Sequence, residues 1–204
     1  MIEMIDYGLQ FVVLLVCGIY AAVRADRTRS RGWLILSFFL LCQSLGDLYW
    51  LLCVAFEGST PQITFISEIS WYASYMFLCL LLRDLESPGV PARKWQAWCA
   101  PAVSAAACLF FFRWGDYVSN VITAALMGRL GYLALDGLLR EGKSGRRRSL
   151  YRACLLFFLA EYALWVSSCF WLGDTLANPY FWFDGLLTLV AVLLVQAYEK
   201  AVAD

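Results

Sequence analysis

Four of the carboxylates inside apolar stretches of this chain stand out, because an ionised acid there costs about 2.5–3.5 kcal/mol on insertion scales. Asp47 lies within Gly32–Phe56, Glu68 within Ile63–Leu82, Glu161 within Leu150–Leu172 and Asp184 within Tyr180–Tyr198. A chain keeps such a group only if it is paired, protonated or facing a wet cavity. Each acid has company at helical spacing. Gln43, Asp47 and Trp50 share one stripe, Glu68, Trp71, Tyr72 and Tyr75 a second, and Glu161 and Trp165 a third. In the fifth apolar stretch Arg129, Tyr132 and Asp136 line one face. An intramembrane arginine almost requires a carboxylate partner, and Asp47 and Glu161, at comparable depth, are both candidates for it.

Four acids against one arginine leave surplus carboxylate. A carboxyl group taken out of water keeps its proton more readily, which suits general-acid work or proton coupling. Asp47 and Glu161 are therefore the candidate catalytic pair. Gln43, Trp50, Glu68, Trp71, Tyr75, Arg129, Tyr132, Trp165 and Asp184 are the candidate ligand contacts, and Trp50, Trp71, Trp165 and Trp182 offer aromatic faces to a cation. The competing reading is structural. Arg129 and one carboxylate then fix helix register, while Glu68 and Asp184, each about a turn from a helix end, are solvated.

Other chemistry is excluded. The chain has no histidine, and its eight cysteines contain no C-x-x-C pair, so the usual zinc ligand sets cannot be assembled. No metal and no cofactor is expected. The only lysine near the last stretch is Lys200, at its end, where a midplane retinal Schiff base cannot form. The Gly-Lys-Ser-Gly core of the loop Glu141–Ser149 lacks the P-loop pattern. Cys53 and Cys169 fall near the same ends of their helices and are the one pair a disulfide would join.

The positioning elements are apolar blocks. Of 204 residues 62% are hydrophobic, against about 45–50% in an ordinary soluble domain, and mean hydropathy is +0.66. A span needs about 20 apolar residues. Seven blocks qualify, at about 7–23, 32–56, 63–82, 95–112, 117–139, 150–172 and 180–198. The prediction is one all-α domain over 1–204, a polytopic bundle of seven transmembrane helices. Fourteen of the sixteen basic residues fall on one side of these blocks, Arg113 and Arg129 being the exceptions. The positive-inside rule then puts the N-terminus outside and the C-terminus in the cytoplasm, as in a multi-pass protein of a bacterial inner membrane. The basic loops, Arg93, Lys94 and Lys143 among them, are read as topology determinants and not as a nucleic-acid site. Ser87-Pro88-Gly89-Val90-Pro91 reads as a breaker-rich turn.

The second and sixth blocks share a plan, a basic loop before and a carboxylate near the middle with aromatics after it. Asp47 precedes Glu68 by 21 residues, and Glu161 precedes Asp184 by 23. This suggests a three-plus-one-plus-three repeat. The fourth block is alanine-rich and uncharged, which favours close helix packing or contacts in a homo-oligomer.

The run Ser44-Leu45-Gly46-Asp47-Leu48-Tyr49-Trp50-Leu51-Leu52, the aromatics Trp71 and Tyr75 of the next helix, and Leu155-Leu156-Phe157-Phe158-Leu159-Ala160-Glu161 resemble the lysoplasmalogenase-like membrane proteins. That resemblance implies a hydrolase cleaving the vinyl-ether bond of a lysolipid, with Asp47 and Glu161 as its acidic pair and membrane lipid as its partner. Two other functions fit the same residues. One is a seven-helix sensor or transporter for a cationic small molecule, and the other is an accessory membrane subunit without catalysis.

Overall fold

In a computed structural model the described residues are 2–58, 64–85, 95–141 and 145–203. The turn at 87–91, the basic residues Arg93, Lys94 and Lys143, and the start of the third block at Ile63 lie outside them. Among the described residues the chain forms α1 (Ile2–Thr28), α2 (Arg31–Glu57), α3 (Phe65–Asp84), α4 (Cys99–Phe111), α5 (Tyr117–Arg140), α6 (Arg148–Phe170) and α7 (Pro179–Val202), with one 3₁₀ turn at Trp95–Trp98 before α4. No strand occurs among them.

Local signals explain several boundaries. Gly58, with φ +67°, ends α2 in the left-handed conformation that glycine adopts at no steric cost. Asp116 caps α5 by accepting from the Ser119 backbone N–H at 2.9 Å. Asn178 does the same for the Tyr180 N–H at 2.9 Å, with Pro179 opening α7, a favoured first helical position. The helices outrun several of the apolar blocks. α1 begins at Ile2 and runs to Thr28 because Glu3, Asp6 and the arginines beyond Val23 stay helical, and a hydropathy window does not see them.

Six helices are long and apolar enough to cross a membrane. The fourth predicted span, 95–112, differs. It is a short turn followed by the 13 residues of α4, about 20 Å of helix. Its alanines let it lie close against α5, so that a Cβ at Gly131 would come 2.8 Å from that of Ala100, and one at Gly128 would meet Ser104 at 3.2 Å. α4 therefore packs along α5 as far as Gly131 and leaves the last turns of α5 uncovered by it.

The helix contacts close into a ring, α1–α2–α3–α5–α6–α7 and back to α1, with α4 attached outside it on α5. On α1 small and polar groups turn inward together with two larger ones. On α1 the buried face is Tyr7, Gln10, Leu14, Gly18, Ala21 and Ala25, while Ile5, Leu9, Val12, Val16 and Ile19 are exposed. That apolar outer stripe around a partly polar interior is the pattern expected of helices solvated by lipid. Inside the ring Phe39 of α2 meets Phe157 of α6 edge-on at 5.5 Å, and Phe157 meets Tyr75 of α3 at 6.0 Å. These rings fill the middle of the bundle. All eight cysteines are free, Cys53 and Cys169 included.

Candidate functional site: an acidic, aromatic cavity

Above the Phe39–Phe157 contact, toward the end of the bundle where the chain begins, the ring encloses a cavity of about 240 Å³. α1 contributes Tyr7 and Gln10. α2 contributes Gln43, Asp47 and Trp50, each one turn beyond the last. α3 supplies Trp71 and Tyr75, α6 supplies Glu161 and Trp165, and α7 supplies Tyr180 and Asp184. Asp47, Glu161 and Asp184 thus meet in one place. All three are almost fully buried, with 3–4% of their surface exposed. Among the described residues no lysine or arginine lines the cavity.

Each acid has a neutral donor. The Tyr75 hydroxyl donates to Glu161 Oε1 at 3.1 Å, and the Gln43 side chain reaches the same carboxyl. The Gln10 amide donates to Asp184 Oδ1 at 2.8 Å. The Trp71 indole hydrogen-bonds Asp47. It comes close because position 46 is glycine, where a Cβ would fall 2.5 Å from the indole nitrogen. Neutral donors orient these carboxyls without cancelling charge. Asp47 Oδ2 and Asp184 Oδ2 are buried and have no hydrogen-bond partner. Asp47 Oδ2 remains available to whatever enters, whereas Asp184 has the Asp6 carboxyl against it.

Aromatic rings frame the same space. Trp50 stacks near Trp71 at 6.2 Å and packs on Tyr7 at 5.5 Å, and its indole donates to Ser67 Oγ at 3.0 Å. The Tyr7 and Tyr180 hydroxyls share a hydrogen bond of 2.7 Å, which joins α1 to α7. Asp6 lies beside them with its side chain against Asp184.

Several expectations need correction. Arg129 pairs with neither Asp47 nor Glu161. The buried face of α5 is Met127, Leu130 and Ala134, and Arg129 and Tyr132 sit on the opposite side, lining a separate hollow with Trp98 and Pro101 of the α4 segment. The spacing does put them on one stripe, but Arg129 and Tyr132 face away from the ring. Asp136, further along it, is buried against Arg140, one turn on. Asp184 is not solvated near a helix end but is a wall of the cavity. Trp182 is 68% exposed, and its indole donates to the Leu176 carbonyl at 2.9 Å, so it offers no face to the cavity. Glu68 sits in a neighbouring chamber, accepting from Ser119 Oγ at 2.7 Å. Tyr7, Gln10 and Tyr180 were not anticipated. The signal was present as polar groups at three- and four-residue spacing, Tyr7 with Gln10 and Tyr180 with Asp184, but hydropathy averaging hid it.

No family model, curated protein or solved structure matches the chain. Among the described residues no group of three or more histidine, cysteine, aspartate or glutamate side chains is arranged to hold a metal ion. What the cavity can do is attract positive charge. Its carboxyl oxygens are desolvated, its donors are neutral, and its walls are indole and phenol rings, whose faces carry negative quadrupole.

Proposed function

We propose that the chain is a multi-pass membrane protein whose internal cavity binds a cationic small molecule or lipid headgroup of the quaternary-ammonium type. The observation that carries this reading is the lining itself, with Asp47, Glu161 and Asp184 among Trp50, Trp71, Trp165 and Tyr75, and no lysine or arginine among the described residues. A cation there meets carboxylate charge in a low-dielectric site together with ring faces. Each desolvated ring face contributes about 2 kcal/mol. An anion or a large apolar ligand would leave the acids uncompensated.

The basic residues collect at the opposite end of the bundle from the cavity, so the positive-inside rule turns the cavity end outward and the C-terminus to the cytoplasm, as in a bacterial inner membrane. α3 and α5 run in the same direction, so the segment containing α4 returns the chain between them. α4 lies outside the ring and separates two sequential triplets, which supports the three-plus-one-plus-three plan. A sensor or carrier of organic cations is the activity class that needs nothing beyond these features.

A second reading, the lysolipid hydrolase implied by the sequence resemblance, is favoured by one observation. Asp47 and Glu161 come from different helices onto the same cavity, and Asp47 keeps one oxygen without a partner. In that chemistry one acid protonates the vinyl-ether carbon, the other stabilises the oxocarbenium-like charge, and water completes the cleavage. The protein in bilayer nanodiscs, supplied with a lysoplasmalogen, should then release a fatty aldehyde, and Glu161→Gln should release none. Absence of aldehyde from the wild type eliminates the hydrolase and leaves the binding protein.

A further inference from the structure

A second chamber, also about 240 Å³, lies beside the cavity between α3, α5 and α6. Its chemistry repeats that of the first. Glu68 supplies the carboxylate, Ser119 and Thr123 supply hydroxyls, and Trp165 supplies a ring; among the described residues no lysine or arginine lines it, although the Arg113 guanidinium lies 5.7 Å from the Trp114 ring at its edge. Glu68 Oε2 is oriented by Ser119 Oγ at 2.7 Å and by the Tyr72 hydroxyl at 3.4 Å. Both donors are neutral, so the charge stays uncompensated. The two chambers share a wall, since Trp71, Tyr75, Trp165 and Ser168 line both, and Ser168 is exposed at its outer edge.

The opposite seam of the ring is latched. α1 and α7 are joined by the hydroxyl pair Tyr7–Tyr180 at 2.7 Å and by Gln10 to Asp184 at 2.8 Å. Near the same end the Glu3 backbone N–H donates to Asp174 at 3.0 Å. α3 and α6 are instead separated by α5 in the ring. Between them stands the aromatic wall, and the open volume on its far side is the Glu68 chamber.

We propose that the Glu68 chamber is a second subsite for a cationic group, independent of Asp47 and adjoining the central cavity. The identity of the ligand as an organic cation rests on the reading of the central cavity given above, whereas the cation preference of this chamber stands on its own residues. Its arrangement suits a ligand bearing two positive groups, or one that pauses before the inner cavity.

Cys169 lines this chamber as a half-buried free thiol and reports on it without any knowledge of the ligand. The wild-type protein in nanodiscs is treated with a methanethiosulfonate bearing a quaternary ammonium, or with its sulfonate-bearing counterpart. Modification of Cys169 is followed by peptide mass spectrometry, with rates corrected for the two reagents' reactivity toward free cysteine. The cationic reagent should react with Cys169 about tenfold faster or more, the size of effect a charged cleft exerts on association. Glu68→Gln should bring the two rates close together, and Asp47→Asn should leave the preference in place. Equal rates in the wild type, an unmodified Cys169, or a preference untouched by Glu68→Gln would each overturn the proposal. Failure of the central-cavity reading appears separately, as no choline binding by a protein whose Cys169 preference is intact.

Discussion

Asp47→Asn should abolish most cation binding while leaving the protein at least as stable as before. The substitution preserves shape. The asparagine carbonyl still accepts the Trp71 indole hydrogen bond, so the close packing at Gly46 survives. The group that changes is Oδ2, which is buried and makes no hydrogen bond, so no internal partner is stranded. Folding even gains from the change, because an uncompensated buried carboxyl is costly. Binding loses on two counts. The negative charge goes, and an N–H donor now points at the cation. Removing one partner of a buried charge pair costs about 2 kcal/mol or more, which is roughly a 30-fold weaker dissociation constant. Choline titrated against intrinsic tryptophan fluorescence measures the affinity, and a thermal melt in the same detergent measures stability. If Asp47 only fixed helix register, the two results would reverse, with stability falling and the fluorescence response unchanged.

The second large effect concerns the floor of the cavity. Phe39 is fully buried and its ring meets Phe157 edge-on at 5.5 Å. Phe157 in turn contacts Tyr75, whose hydroxyl orients Glu161. Phe39→Ala should therefore lower stability by about 3 kcal/mol or more, as large-to-small changes in packed cores do. In a bilayer the loss comes from packing, since lipid is as apolar as the ring it replaces. The cavity would also deepen, and Glu161 would lose the support that sets its direction, so choline affinity should fall with stability. Phe56→Ala is the control. Phe56 is 84% exposed, and substitutions away from packed positions usually stay within about 0.5 kcal/mol. Melting temperatures of the two variants, measured side by side, check the contrast.

The parts of the fold that were legible from the sequence are those that hydropathy and local chemistry control. Apolar blocks located the long helices, and Gly58, Asp116 and Pro179 mark ends where backbone conformation or capping requires those residue types. The site was legible in part. Expensive acids inside apolar blocks had to face something, and Asp47 and Glu161 do face one cavity, with Gln43, Trp50, Trp71, Tyr75 and Trp165 beside them. Helical spacing shows which residues share a face but not which way the face turns. That is why the stripe of Arg129 and Tyr132 was assigned inward, when Met127, Leu130 and Ala134 occupy the inner side of α5. Depth was equally unreadable. Asp184 stands near the start of its helix, yet it is buried because α1 lies over it with Gln10. Such a contact joins residues 174 positions apart, and no local pattern encodes it. The α4 segment read as a full span because composition cannot distinguish a short helix packed on a neighbour from a longer one in lipid.

Recognition of positive charge by the cavity is tested by one comparison that isolates charge from shape. Choline and 3,3-dimethylbutan-1-ol have nearly the same outline, but only choline carries a cation. Binding of each to the wild-type protein in nanodiscs is measured by tryptophan fluorescence and by calorimetry. Choline should bind saturably, and the neutral alcohol should bind at least about tenfold more weakly, the difference expected when a desolvated cation–ring contact is lost. Equal affinity for the two, or no binding of choline at all, would contradict the account.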